Sequence, residues 1–482
     1  MAKDKDNKKK INRRKFILSG GLTALAAYSS YRNWDKLLPF IKFPYTRFFD
    51  KRPNIMIIAL DTLRADHLGC YGYGRGISPN IDNFSKDATL YWNTMSQSNW
   101  TLPAFSSLFT SLYPHRHANG IGYDTKNKIT GSSLPKNIPN LADILSHMGY
   151  YTNAITGGYY VSDTVGFDIG FKKFHQMGNP TQGIRKDLPL QIEMARDWIT
   201  RNHSFTKFFM FFHTYECHNP YRPPQKYLDM IDPLYNGPPI SGNVTHDFVL
   251  KRTPGITEVT PEIVERYISL YDAEILYTDA VVGEFFGFLK EKGIYDDSLI
   301  ILLSDHGDEF YERGGWNHGH TMYDELLRVP IIVKYPGGEK TGVDSLRLAR
   351  LIDVMPTILF DVLGVEREGW FMEGVPLSEP LDDPIGIAEG KMTWDGMNLF
   401  SLRQGELKYV FDENERRTMV FDLKEDPGEK RNLIRKRRDE ALRIESIAKD
   451  YESIYMSNLK NLLDPKSVDD ETIEVLKDLG YL

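Results

Sequence analysis

Between residues 53 and about 363 the chain alternates short apolar runs with longer amphipathic stretches. Ile55–Leu60 and Leu299–Leu303 are apolar at every position, the pattern of strands buried on both faces. Phe208–Phe212 is a five-residue aromatic and apolar run, too short and too β-prone for a helix. Tyr267–Leu289 is amphipathic throughout and predicts a long helix that feeds the Leu299 strand. Pro103–Leu112, Leu141–Met148 and Ile352–Leu363 predict further helices, and Thr152–Ile155 and Leu326–Tyr335 further strands. Such alternation predicts an α/β fold, a mainly parallel sheet flanked by helices on both sides.

The pattern changes after about residue 385. Phe400–Leu402, Leu407–Phe411 and Thr418–Leu423 read as short strands separated by turns. They predict a small antiparallel sheet with a closing helix. The span 176–265 is richer in Gly, Pro and Asn, notably Tyr235-Asn236-Gly237-Pro238-Pro239, and reads as a covering insertion.

The N-terminus is different again. Arg13-Arg14 precedes an apolar, Gly- and Ala-rich segment from Phe16 to Tyr28. Paired arginines before a short, weakly hydrophobic run read as a twin-arginine export signal. The run is about 13 residues, too short for a standard membrane span. Ala24-Leu25-Ala26 offers a small-residue cleavage site, and an uncut segment would tether the protein.

Composition adds little beyond this. In 482 residues, 59 basic side chains face 66 acidic ones, a net charge of -7 that gives no support to nucleic-acid binding. Two cysteines, Cys70 and Cys217, define no disulfide framework and read as two unrelated thiols.

The chemistry sits at strand ends. Asp61 follows Ile55–Leu60, and Asp305-His306-Gly307 follows the Leu299 strand. Thr101 opens the Pro103 helix, where an isolated threonine would ordinarily be an N-cap. Two carboxylates at strand ends and a hydroxyl at a helix start form the layout of a metal-assisted ester-cleaving site. Leu60-Asp61-Thr62-Leu63-Arg64-Ala65-Asp66-His67-Leu68-Gly69-Cys70-Tyr71-Gly72 resembles the opening motif of the sulfatase branch of the alkaline phosphatase superfamily. Thr101–Pro114 is similar to that family's nucleophile segment, and Ser304-Asp305-His306-Gly307 to its second metal motif. Arg328-Val329-Pro330, Phe421–Glu429 and Leu479-Gly480-Tyr481 also match, in the family's order.

The resemblance implies an alkaline-phosphatase/sulfatase-like fold with a signal and linker at 1–50, a catalytic domain at 53–384 and a C-terminal subdomain at 385–482. It implies a divalent metal ion (Mn, Zn or Ca) held by Asp61, Thr101, Asp305 and His306, with Thr101 as nucleophile. The His ligand leans toward Mn or Zn, since Ca prefers oxygen. His218, within Glu216-Cys217-His218-Asn219-Pro220-Tyr221, and His318 are expected to act catalytically on the oxyanion and leaving group. His213 and His320 are expected to bind substrate.

Four departures from the family pattern bear on the expected chemistry. Thr101 stands where sulfatases carry the Cys or Ser that becomes formylglycine, and threonine cannot give that aldehyde. Phe105 replaces an arginine, and Thr62 a second aspartate. Gly157-Gly158-Tyr159-Tyr160 lies where sulfatases often have Gly-Lys-Trp-His. Relatives with Thr at the nucleophile position act on phosphate esters. The expectation is therefore an exported, metal-dependent hydrolase of sulfate or phosphate esters, with phosphodiesters or phosphonate esters favoured. A phosphotransferase acting on a glycan or lipid and a catalytically degenerate glycan-binding protein are the rival readings. The expected partner is a small-molecule, glycan or lipid ester, with no nucleic acid and with membrane contact only through an uncleaved signal. The expected location is periplasmic, extracellular or membrane-anchored.

Overall fold

A computed structural model describes residues 50–119, 134, 138–178, 186–234, 258–381, 384–392, 397–412 and 417–463. The twin-arginine segment, Tyr235–Pro239 and Leu479-Gly480-Tyr481 lie outside the described residues. In chain order the strands are β1 (Ile55–Leu60), β2 (Thr89–Met95), β3 (Tyr151–Thr156), β4 (Lys173–Gln176), β5 (Phe208–Thr214) and β6 (Leu299–Leu303). There follow β7 (Glu309–Phe310), β8 (Trp316–Asn317), β9 (Ile331–Lys334) and β10 (Gly342–Arg350). The C-terminal strands are β11 (Ile385–Met392), β12 (Met397–Gln404), β13 (Leu407–Asp412) and β14 (Arg417–Asp422).

Eight strands form one sheet in the order β10-β2-β9-β6-β1-β5-β3-β4. Every neighbouring pair is parallel except those made by β9. The apolar runs explain the centre of this sheet. Met56, Ile58, Leu60, Phe208, Met210, Phe212, Ile300 and Leu302 face one core. Ile55, Ile57, Ala59, Phe209, Phe211, Leu299, Ile301 and Leu303 face the other. Side chains alternate between faces with a period of two, so only strands apolar at every position can line two cores. Each such Phe or Leu contributes about 1.5–3 kcal/mol through burial. The helices Pro79–Lys86, Leu188–Asn202 and Pro261–Glu291 cover the first face. Thr101–Thr110, Leu141–His147 and the helical segment 351–362 cover the second.

Two element boundaries differ from the sequence expectation. Leu326–Tyr335 is not one strand: a helical turn, Asp324–Leu327, precedes β9. The Leu327 and Arg328 amides close that turn on the carbonyls of Tyr323 and Asp324, and Pro330, which has no N–H, separates it from the ladder. The nucleophile-segment helix begins at Thr101 itself, with Trp100 as its N-cap, so Thr101 is not the cap. Within the span 176–265, helix Leu188–Asn202 and β5 belong to the core rather than to a covering insertion.

Strands β11–β14 form an antiparallel meander. Its faces pack on the main domain through Tyr113 and Ile352, and through Met95, Met322, Leu327 and Leu348. Buried Lys408 bridges the two parts, with Nζ 2.6 Å from Asp324 Oδ1 and 2.9 Å from Glu429 Oε1. The closing helix is Arg438–Leu463.

Candidate active site

The parallel register fixes where the site lies. Ala59 pairs with Leu303 and Leu60 with Thr214. The next residues, Asp61 and Asp305, therefore emerge side by side at the carboxyl edge of the sheet. Open α/β sheets bind ligands at that edge.

Asp61 is completely buried. Its Oδ2 accepts a hydrogen bond from His213 Nε2 at 3.0 Å, while His213 Nδ1 accepts from the Gly157 amide at 3.2 Å. The backbone donor thus fixes the His213 tautomer, leaving Nε2–H for the carboxylate. Asp61 Oδ1 has no hydrogen-bond partner among the described residues. Asp305 repeats the arrangement. Its Oδ1 accepts from the Thr62 amide at 3.2 Å and the Ser304 hydroxyl at 3.4 Å, and its Oδ2 has no partner. His306 Nδ1 donates to the Gly307 carbonyl at 3.0 Å, which leaves a lone pair on Nε2. That nitrogen lies 3.3 Å from Asp305 Oδ2, 4.0 Å from Asp61 Oδ1 and 3.2 Å from Thr101 Oγ1.

One oxygen from each aspartate and one histidine nitrogen thus lie within 4.8 Å of one another, all buried. Burial, and then the Asp305 and Asp308 charges, push the Asp61 carboxyl well above the usual carboxylate range. Two orphaned carboxylate oxygens beside a fixed lone pair fit a divalent cation, which neutralises the charge and fills the missing valences. Mixed oxygen and nitrogen donors suit Zn or Mn.

Thr101 reaches this cluster as the first residue of a ten-residue helix. The first-turn N–H groups of such a helix favour an anion at its end. Phe105, one turn on, packs edge-on against Phe211 and His213 at ring distances of 5.7 and 5.1 Å. Thr62 is buried in a left-handed conformation at φ 58°. That is strained for a β-branched residue, and it turns the Thr62 amide toward Asp305.

The other histidines divide. The His318 ring lies tilted beside His306 with ring centroids 4.3 Å apart, and His218 lies 5.0 Å from His318. His318 Nδ1 is 2.6 Å from Asp308 Oδ1, and Asp308 Oδ2 accepts from the Tyr221 hydroxyl at 2.5 Å. Burial opposes charge on Asp308, yet the His318 and His218 rings and the Tyr221 hydroxyl hold it below the usual range. His218 Nδ1 faces the Asn219 carbonyl, and burial, then the His318 charge, lower its pKa to about 3. His213 is fully buried, lowered to about 3 by burial, and occupied on both nitrogens. His320 bonds Glu309 Oε2 at 2.8 Å, and Glu309 Oε1 also takes the Arg313 and Gly315 amides. His320 therefore braces the β7–β8 hairpin and makes no bond to the Asp61–Asp305–His306 cluster among the described residues. Asp308 and Tyr221 were missed as participants. The run Asp305-His306-Gly307-Asp308 carried the first signal.

Known proteins resemble the chain over most of its length. The sulfatase family model matches residues 53–365. Choline-sulfatase of Rhizobium meliloti is 25% identical over 453 residues, covering 79% of this chain and 82% of that protein. N-acetylglucosamine-6-O-sulfatase of Bacteroides thetaiotaomicron is 22% identical over 482 aligned residues, covering 80% and 83%. The solved phosphonate monoester hydrolase of Agrobacterium radiobacter superposes with a TM-score of 0.66 at 20% identity, covering 84% of this chain and 96% of that one. The chain belongs to the sulfatase family, within the alkaline phosphatase superfamily, and is by class a hydrolase of sulfate or phosphate esters.

Proposed function

We propose that the protein is a metal-dependent hydrolase in which the unmodified Thr101 hydroxyl attacks the ester's central atom, with phosphodiesters or phosphonate esters preferred. The carrying observation is Thr101 Oγ1 at a helix N-terminus, 3.2 Å from His306 Nε2 and beside two orphaned carboxylate oxygens. Asp61, Asp305, His306 and Thr101 would hold the cation. When bound, it supplies Lewis-acid polarisation of the ester oxygen and lowers the hydroxyl pKa.

The chain's own residues supply the rest. Thr101 loses its hydroxyl proton to solvent, and Oγ1 bonds to phosphorus or sulfur as the bond to the leaving alkoxide breaks. His318, oriented by Asp308, gives its Nε2 proton to that alkoxide. Water then cleaves the Thr101 ester and releases the acid, restoring the hydroxyl. His218, neutral near pH 7, contributes a polar wall rather than a positive charge. We assign His213 to hold Asp61 rather than to touch substrate, and His320 to brace the hairpin.

Thr101→Ala should abolish turnover by about 10³-fold or more while preserving the fold, and Thr101→Ser should keep part of it. Assays with 4-nitrophenyl sulfate, a phosphomonoester, a phosphodiester and a phosphonate, each with Mn, Zn or Ca, decide the substrate. Near-normal turnover by Thr101→Ala would remove Thr101 from the mechanism. Sulfate-only activity would remove the phosphorus preference. Transfer to an alcohol of a glycan or lipid is the second reading, favoured by the shielding of Thr101, which is only 2% exposed. Product analysis with added alcohol separates it from hydrolysis.

Export by the twin-arginine route follows from Arg13-Arg14, and the location is then periplasmic, extracellular or membrane-anchored. Among the described residues, no helix is long and apolar enough to cross a membrane. Replacing both arginines by lysine should leave active protein in the cytoplasm on fractionation.

A further inference from the structure

The residue directly after β5 has no role in the scheme above. Tyr215 is 1% exposed, and its hydroxyl has no hydrogen-bond partner among the described residues. A buried phenol without a partner loses hydration and recovers nothing, a cost of about 1–3 kcal/mol. Such groups are uncommon in folded proteins, and each calls for a reason.

Its surroundings supply one. The Tyr215 ring stands edge-on to His213 at 4.6 Å, and His213 holds Asp61. It stands edge-on to His218 at 5.3 Å, and His218 adjoins His318. Tyr215 therefore forms the wall between the aspartate end of the site and its histidine end. Gly157 clamps the ring from behind: a Cβ there would lie 2.4 Å from Tyr215 Cδ2. Burial, and then the Asp61 and Asp305 charges, push the phenol well above its ordinary pKa, so the proton stays on the oxygen. A buried phenolic proton beside a site built for an anion, with no acceptor among the described residues, suits an oxyanion donor.

We infer that Tyr215 is a further catalytic residue, donating its hydroxyl proton in a hydrogen bond to a non-bridging oxygen of the sulfuryl or phosphoryl group under attack. The inference rests on Thr101 as the point of attack. It also gives the site a neutral donor where Phe105 and the Gly157-Gly158-Tyr159-Tyr160 turn offer no cationic side chain. Charge on the equatorial oxygens would then be met by the cation, by the helix N-terminus and by this phenol.

Tyr215→Phe keeps the ring and removes only the hydroxyl. Because the hydroxyl makes no bond in the protein, its loss should leave Tm within about 2 °C of the parent. On the preferred ester, kcat should fall about 10²-fold, as for removal of one oxyanion donor, with KM changing far less. Inorganic phosphate, measured by calorimetry without turnover, should bind about tenfold more weakly. Tyr215→Met, which also lacks the hydroxyl but fills the space differently, should show the same phosphate defect. Unchanged kcat and phosphate affinity in Tyr215→Phe would overturn the inference, as would a large loss of Tm with normal kinetics. If Thr101→Ala is inactive while Tyr215→Phe is normal, only the Tyr215 role fails. If Thr101→Ala is fully active, the site reading fails and the Tyr215 role with it.

Discussion

Replacing His213 by phenylalanine removes the hydrogen bond that holds Asp61 in the proposed metal site, together with the one Nδ1 accepts from the Gly157 amide. His213 Nε2 donates to Asp61 Oδ2 at 3.0 Å in a region with no solvent exposure for either residue. No water can take its place. Phenylalanine preserves the ring contacts with Phe105 at 5.1 Å and Tyr215 at 4.6 Å, so little cavity forms. A hydrogen bond to a charged acceptor is worth about 1.5–3 kcal/mol, and each 1.4 kcal/mol is a factor of ten. Cation affinity should therefore fall about 10- to 100-fold, the range found when the hydrogen-bonding partner of a metal ligand is lost. His213→Gln, whose amide can supply a donor near the old Nε2, should recover most of that loss. The assay is competition for Zn or Mn against a chelator of known affinity, with turnover followed in parallel. At saturating metal, kcat in His213→Phe should approach the parent value, because His213 holds a ligand and does not touch substrate. Parent-like metal affinity in His213→Phe would refute the reasoning. A kcat loss that excess metal cannot restore would instead return His213 to direct contact with substrate.

Three further outcomes follow from other contacts. Burial lowers the His115 pKa, but Glu389, with Oε1 2.6 Å away, raises it above its ordinary value. This contribution to stability is complete below the unfolded value of about 6.5 and is lost as pH climbs through the folded value. Glu389→Gln should flatten that slope in urea melts at about pH 5.5 and about pH 8.5, and an unchanged slope would assign the pH dependence elsewhere. Thr62→Asp adds a carboxylate at a position whose φ of 58° aspartate tolerates, and should shift metal preference toward Ca, measured as the ratio of Ca to Zn affinity. Gly157→Ala should press a methyl on the Tyr215 ring, costing about 1–3 kcal/mol in stability and more than about tenfold in kcat.

The fold was readable where one local rule decided the outcome. Strands β1, β5 and β6 are apolar at almost every position, and only a sheet covered on both faces can bury both sets of side chains. The pattern fails where an apolar residue has two uses. Leu326 and Leu327 are as apolar as Ile331 and Ile332, yet they bury a helical turn beside the strand. What separates them is Tyr323 and Asp324 accepting the turn's hydrogen bonds, together with Pro330, which donates none. The start of the nucleophile-segment helix was misplaced for a related reason. Thr101 suits a cap by composition, but its hydroxyl is turned to His306, and Trp100 takes the cap position without a side-chain capping bond.

The same distinction governs the site. Asp61 follows β1 directly and Asp305 follows β6 after Ser304, so strand prediction alone sets them on the sheet's carboxyl edge. Their adjacency needs β1 and β6 to be neighbours, which no local pattern states and the motif order supplied. His213 is expected from the sequence to bind substrate, and the hydrogen bonds it makes could not be read there. Its actual partners come from β1 and from the end of β3, two strands that flank β5 only because of the sheet order. Tyr215 was passed over for the converse reason. In sequence it is one aromatic among 27 tyrosines, and nothing marks a side chain whose distinguishing property is the hydrogen bond it does not make. Ligands anchored at strand ends are thus legible from a single chain. Groups that orient those ligands, or wait for substrate, are defined by neighbours far away in sequence, and they become visible only when every buried donor and acceptor has been traced to its partner.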